Sequence, residues 1–298
     1  MTAQHVKLPI LDLWQQRLEF RVNAPAQLPD WLGSSWRGVF GHQLKQLSCV
    51  TGLPECVSCP LFSSCSHAEI FESPPKQHVG KMRKYNAVPH PYVLLPDPGG
   101  NVDSNATIAV EVRLFGQAIR HHRLVTDALK LGAKQGLGRS RVSLLPTPPA
   151  DAQKLTLDSA ASKPPQGPLR IRLLSPLRMR IKGQPVAPDQ LSFGDFFSVL
   201  LRRISMLSSF YQRHNLDIDF RQLVSQAHRI DFSHRDLHMA SRRRWSTRQR
   251  HAIDMSGIIG EVELNTDLVH HFWPYLYLGQ YTLVGKGTVM GLGQYRID

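Results

Sequence analysis

Alternation of apolar and charged positions marks the first element of the chain. Leu18, Phe20 and Val22 alternate with Arg17, Glu19 and Arg21, which predicts a half-buried strand over 17–23. After APAQLPDWLG, the spacing of Trp36, Val39/Phe40, Leu44 and Leu47 predicts an amphipathic helix, with Ser34 or Ser35 as its N-cap. Residues 72–106, with PHPYVLLPDPGG at their centre, read as loop around a short extended segment. Ile108, Val110, Val112 and Leu114 alternate in a strand over 107–115. A helix follows across 117–132, then GLGRSR and a short strand from Val142 to Leu145. This β-α-β-α-β order is the split arrangement of a ferredoxin-like or RRM-like unit.

Residues 146–168 are rich in Pro, Ala and Ser and lack apolar periodicity, so they read as a boundary. Beyond it Leu169, Ile171 and Leu173 alternate with Arg170 and Arg172, and Leu177, Met179 and Ile181 with Arg178, Arg180 and Lys182. One face is apolar; the other is a row of cations that reads as a phosphate track. Helical spacing of Phe193, Phe197, Leu200, Ile204, Leu207 and Tyr211 predicts a core helix over 193–212, and strands are expected at 258–264 and 275–284. GLGRSR (136–141) near the end of the first half is echoed by GLGQYR (291–296) at the end of the second, which suggests two copies of one unit. The expected architecture is α+β: two tandem ferredoxin-like domains, over 1–148 and 169–298, joined by a linker at 149–168. The first carries a four-cysteine insertion at about 49–72, and the second a glycine-rich loop.

Charge narrows the function. The 298 residues hold 36 Lys+Arg against 23 Asp+Glu, a net charge of +13, which is tolerated best beside a polyanion. No window approaches the roughly 18 apolar residues of a membrane span, and the start, MTAQHVKLPILDLW, lacks the layout of a signal peptide, so a cytoplasmic protein without membrane partners is expected. Five arginines (Arg242, Arg243, Arg244, Arg248 and Arg250) fall within nine residues, with Trp245 among them, His251 following and no acid between. Lys81, Arg83, Lys84 and Tyr85 form a second cluster. Arginine interleaved with aromatic residues grips phosphates and stacks on unpaired bases.

The four cysteines, Cys49, Cys56, Cys59 and Cys65, are spaced C-x6-C-x2-C-x5-C. In a cytosolic chain such a group reads as metal ligands rather than disulfides. Zn2+ is the favoured occupant and a [4Fe–4S] cluster the close second; the spacing equals that of the cluster loop in DNA glycosylases of the endonuclease III class, which makes a metal-cluster DNA repair protein a third, weaker reading. Four thiolates leave no open coordination position, so the centre would be structural. His67 follows closely and could replace one ligand.

Gly285, Gly287, Gly291 and Gly293 lie within nine residues, with Lys286 among them. Such a loop lets backbone N–H groups approach a phosphate, or forms a tight hairpin that needs positive φ. The string Leu278-Gly279-Gln280-Tyr281 leading into Gly285-Lys286-Gly287-Thr288-Val289-Met290-Gly291-Leu292-Gly293 resembles the glycine-rich signature of the RAMP superfamily. More closely, it resembles the CRISPR pre-crRNA-processing endoribonucleases; WRGVFGHQLKQLSC, PHPYVLLPD and SRRRWSTRQR add to the similarity. The resemblance implies paired ferredoxin-like domains and metal-independent cleavage of CRISPR repeat RNA. It also implies retention of the crRNA hairpin, often alongside other CRISPR effector subunits. The alternative is a non-catalytic RAMP-type crRNA-binding subunit.

Metal-free cleavage needs a base to deprotonate a 2′-OH, an acid, and cations around the phosphorane; it yields a 2′,3′-cyclic phosphate and a 5′-OH. His42 leads as base and Lys45 as cation. At ~100° per residue both lie opposite the stripe of Trp36, Phe40, Leu44 and Leu47, one turn apart. The resemblance implies such a histidine on the first helix. His121, His122 and His251 are rivals, and Tyr85 could donate a proton or stack. Arg242, Arg243, Arg244, Arg248 and Arg250, with Gly285, Lys286, Gly287, Gly291 and Gly293, are the expected RNA contacts.

Overall fold

The computed structural model describes residues 9–73, 88–138, 142–148, 150–213, 215–246 and 251–298. Among them no helix is long and apolar enough to cross a membrane. The chain divides into two compact units, one of 12–156 with 209–213, the other of 1–11, 157–208 and 214–298. The structure is α+β with antiparallel sheets.

The N-terminal unit opens on β1 (Ile10–Val22), where Leu11, Leu13, Leu18, Phe20 and Val22 are buried. Strand β2 (Ala26–Trp31) leads into α1 (Gly33–Ser48), and β3 (Tyr92–Pro96), β4 (Pro98–Val102) and β5 (Thr107–Phe115) follow. Then come α2 (His122–Gln135), β6 (Leu144–Pro146) and β7 (Gln153–Asp158). The sheet runs β3-β5-β1-β6, with β7 also on β1, and β2 pairs with β4 in a separate ribbon. Register is anchored by Leu18↔Val110 and Phe20↔Ile108, which put the apolar sets of β1 and β5 on one face.

Two expectations shift here. The helix starts ahead of the predicted serine cap: Leu32 is its N-cap, fully buried and without a side-chain cap bond, while Trp36 N–H donates to Leu32 O at 2.9 Å. Burial of Leu32 rather than a hydroxyl fixes where α1 begins. Within the Pro/Ala/Ser-rich stretch, Gln153–Asp158 forms a strand; Gln15 Nε2 donates to Gln153 Oε1 at 2.8 Å and Thr156 Oγ1 to Asp12 Oδ1 at 2.9 Å. A polar strand on a sheet edge needs no apolar period, so composition alone does not reveal it.

The C-terminal unit contains β8 (Leu169–Leu177), β9 (Arg180–Ile181), β10 (Gln184–Pro185), α3 (Phe193–Tyr211) and α4 (Phe220–Ala227). Strands β11 (His234–Ala240), β12 (Arg243–Ser246), β13 (His251–Asp254) and β14 (Gly257–Leu264) follow, then α5 (Thr266–Val269), α6 (Trp273–Thr282) and β15 (Tyr295–Ile297). Its main sheet runs β11-β14-β8-β15, the same second-third-first-fourth order as β3-β5-β1-β6. Ser192 caps α3, its Oγ accepting from Asp195 N–H at 3.1 Å, and Phe193, Phe197, Leu200, Ile204 and Leu207 are buried along one stripe.

Residues 275–284, expected as a strand, belong mostly to α6. The run WPYLYLGQYT is apolar nearly throughout, which leaves neither period 2 nor 3.6 to read, and its aromatic content favours strand. Tertiary packing decides for helix. Tyr295 Oη donates to Leu276 O at 2.7 Å, Gln280 Oε1 accepts from Ile297 N–H at 3.0 Å, and Gly279 lies flush against the Tyr295 hydroxyl. A Cβ at 279 would meet that hydroxyl and, at 2.7 Å, Leu200 Cδ1. Gly279→Ala is therefore expected to destabilise the protein by about 1–3 kcal/mol, read as a lowered denaturation midpoint; an unchanged midpoint would mean that α6 and Tyr295 are not in this close contact.

Candidate functional site

Helix α1 buries Trp36, Phe40 and Leu44 completely, while Leu47 is 44% exposed. His42 faces outward and is exposed. Beside it Gln43 is buried, donating to Gln135 Oε1 on α2 at 2.6 Å. Lys45 is half-buried, and its ammonium donates to Pro54 O at 3.0 Å. One of its three donors is thus tied to the cysteine loop. Phe71 packs directly on Gly41, takes the Arg37 guanidinium over its ring at 4.3 Å, and stacks on His67 with centroids 5.5 Å apart.

The rival histidines are held differently. His121 is half-buried, its Nε2 3.2 Å from Glu69 Oε2, and Arg120 pairs with the same carboxylate. His122 sets Nδ1 3.1 Å from Ile119 O and its ring against Trp14. Glu69 is a residue that sequence reasoning missed: it lies 52 residues from His121, and no local pattern connects them.

All four cysteines line one cavity, together with Lys45, Thr51, Leu53, Leu61, Phe62 and His67. The Thr51 hydroxyl lies 3.8 Å from Cys49 Sγ and 3.5 Å from Cys59 Sγ, and Cys56 Sγ is 3.7 Å from His67 Nδ1. The hydrogen bond with Thr51 is the main cause drawing the Cys49 thiol below its usual pKa. Burial, seconded by Glu72, Cys65 and Cys49, pushes the Cys56 thiol up, while Lys45 opposes the rise. The ligand atoms of Cys56, His67 and Glu72 also lie within 4.8 Å of one another. Glu72 and Thr51 were not singled out in the sequence; proximity to the cysteines was the available signal.

In the C-terminal unit the expected phosphate track is corrected at Arg170, Arg172 and Arg178, while Arg180 and Lys182 are exposed. Arg170 pairs with Glu263 at 2.6 Å, and Arg172 with Glu261 at 3.4 Å and Asp298 at 3.5 Å. Register opposes Arg170 to Glu263 and Arg172 to Glu261 across β8 and β14, so acids remote in sequence neutralise these cations. Arg178 is spent on structure: its Nη2 donates to Asp254 O at 2.8 Å and its Nε to Ser256 O at 3.2 Å, at the base of the β12–β13 hairpin. Arg243 and Arg244 lie on β12, whose register with β13 pairs Arg243 with Asp254 and Ser246 with His251. Arg242 precedes that strand, its N–H donating to Ser256 Oγ at 3.1 Å. Arg248 and Arg250 lie outside the described residues, as do Lys81, Arg83, Lys84 and Tyr85.

The glycine-rich loop is a closed turn. Gly285, Gly287, Gly291 and Gly293 all have positive φ, between 72° and 88°. At Gly293 a Cβ would strike Val284 O, so no side chain fits. Several N–H groups are used internally: Lys286 donates to Arg178 O at 2.8 Å, Met290 to Gly287 O at 2.9 Å and Gly293 to Pro176 O at 3.0 Å. Gly291 and Gly293 are buried, Gly285 and Gly287 half-buried, and the Lys286 side chain exposed.

Comparison with known proteins follows the same division. Residues 171–295 match the family model of the CRISPR-associated endoribonuclease Cas6, and residues 10–148 match a model described as the AF_1859_N N-terminal domain. No curated protein matches the chain. Among solved structures, a Cas6 product complex is 16% identical over 96% of this chain and 99% of that one, with a TM-score of 0.53. Thermus thermophilus Cas6 is 14% identical over 96% and 99%, with a TM-score of 0.54. A partial Cas6-RT-Cas1–Cas2 complex matches at 14% identity over 97% of this chain and 46% of that one, also at 0.54. The resemblance carried by the glycine-rich terminus is thus matched on both counts: residues 171–295 fit the Cas6 family model, and the chain as a whole has the fold of these Cas6 structures.

Proposed function

We propose that this protein is an endoribonuclease that cleaves CRISPR repeat RNA without a catalytic metal and retains the crRNA hairpin. The match of residues 171–295 to the Cas6 family carries the reading. The shared strand order of the two sheets, each in a β-α-β-β-α-β succession, supports a pair of tandem ferredoxin-like domains, one on each side of the 149–168 stretch. Solved relatives include a Cas6 product complex and a Cas6-RT-Cas1–Cas2 complex, which supports repeat RNA and other CRISPR subunits as partners.

In the reaction, His42 takes the proton of a 2′-OH, whose oxygen attacks the adjacent phosphorus. The bond to the 5′-oxygen breaks, that oxygen leaves with a proton, and the products are a 2′,3′-cyclic phosphate and a 5′-OH. Lys45, with two donors beyond its bond to Pro54 O, stabilises the phosphorane charge. Exposure of His42 on the face opposite Trp36, Phe40 and Leu44 supports its role. Arg242, Arg243, Arg244, Arg248 and Arg250 grip the RNA backbone, joined by Lys286 and the loop of Gly285, Gly287, Gly291 and Gly293. Cys49, Cys56, Cys59 and Cys65 hold a structural metal centre that fixes the loop after α1, to which Lys45 is already bonded.

The tie between Lys45 and the loop favours one second reading, a crRNA-holding subunit without nuclease activity. Cleavage of cognate repeat RNA in EDTA, abolished by a single 2′-deoxy substitution 5′ of the cut, is expected of the enzyme; no cleavage supports the holding subunit. His42→Ala should lower cleavage by about 10²–10⁴-fold with RNA affinity retained, and unchanged cleavage would transfer the base to another histidine, His121 first. Replacing Arg242, Arg243 and Arg244 together should flatten the logarithmic salt dependence of RNA binding by up to about three units. An unaltered slope would remove those arginines from the interface. Arg170→Ala with Arg172→Ala, whose charges are already paired, should change that slope little.

A further inference from the structure

We propose that the four cysteines hold a [4Fe–4S] cluster rather than a single zinc ion. This rests on the metal-centre reading above and is independent of whether the chain cleaves RNA. A tetrahedral zinc with bonds of about 2.3 Å draws its thiolate sulfurs to about 3.8 Å from one another. The cysteines surround one cavity without gathering into such a tetrahedron. Among the described residues, the group of three ligand atoms within 4.8 Å of one another is Cys56, His67 and Glu72, and no three of the four sulfurs meet that distance. A cubane cluster takes one thiolate on each of its four irons, so its thiolates stand around the space that the inorganic core fills rather than in mutual contact. Four sulfurs that line one cavity with no close trio among them suit that core better than one ion.

The remaining lining suits the same occupant. Thr51 sets its hydroxyl between Cys49 Sγ and Cys59 Sγ, at 3.8 and 3.5 Å, where it can donate to a cluster thiolate. Lys45 lines the cavity, where its positive charge offsets the negative charge of a four-thiolate cluster. Leu53, Leu61 and Phe62 supply apolar wall, and such walls limit the access of water to a metal site. Set against this is a rival that shares Cys56 and His67 with the cavity, one ion on those two and Glu72, and the variants below separate the two.

The full chain is purified anaerobically, assayed for iron, sulfide and zinc, and assayed again after incubation with ferrous iron and sulfide. The expected result is about four irons and about four sulfides per chain, with a broad absorption band near about 400 nm. Cys59→Ser should lose most of the iron and the band, whereas Glu72→Gln, at an exposed position, should keep both. One zinc per chain with no iron uptake overturns the cluster; if that zinc is lost in Cys59→Ser but kept in Glu72→Gln, the four-cysteine metal centre survives without it. Zinc lost in Glu72→Gln and kept in Cys59→Ser assigns the ion to the rival trio. A chain that takes up neither metal removes the centre altogether.

Discussion

Burying the apolar stripe of α1 is the constraint on which the N-terminal unit turns. Trp36, Phe40 and Leu44 are fully covered, at about 1.5–3 kcal/mol for each large side chain removed from water. A helix so seated cannot rotate, so everything on its other faces is fixed in turn: His42 outward, Gly41 against Phe71, Lys45 toward the loop after the helix. The chain then returns through the cysteines to lay Phe71 and His67 beside the same helix. The surface that carries His42 and Lys45 is thus held by contacts that face away from it.

Positive charge is distributed by a different rule. The surplus of thirteen is a property of the whole chain, but the folded protein does not present it evenly. Arg170 and Arg172 are neutralised by Glu263, Glu261 and Asp298, Arg178 holds backbone carbonyls, and Arg17 is paired with Asp97 at 2.8 Å. Exposed ion pairs of this kind add little stability. They do decide which cations remain unneutralised: Arg180, Lys182 and Lys286 are exposed.

The glycine-rich terminus serves architecture. Gly279 lets α6 sit against Tyr295, and Gly293 lets the turn close on Val284. With the N–H groups of Lys286, Met290 and Gly293 donated inside the protein, the loop is a rigid platform that carries the Lys286 side chain outward. The motif that carries the resemblance is therefore also the one whose glycines the packing demands.

The sequence by itself determined what local periodicity and chemistry can carry. The strand over 107–115 and the long helix from Phe193 follow from their spacing, the four cysteines from theirs, and the kinship from the terminal glycines. Tertiary structure alone decided α6, because an unbroken apolar run has no period and only its neighbours Tyr295 and Ile297 select helix. It alone brought Glu69 to His121 and the acids of β14 to the cations of β8, contacts between residues 52 to 93 positions apart. It alone arranged the four cysteines around one cavity, which depends on how a loop without apolar periodicity is pinned between α1 and the segment at Ala68–Glu72. Short-range preference writes elements and ligand sets into a chain; distances between elements arise only when distant parts compete to be buried together.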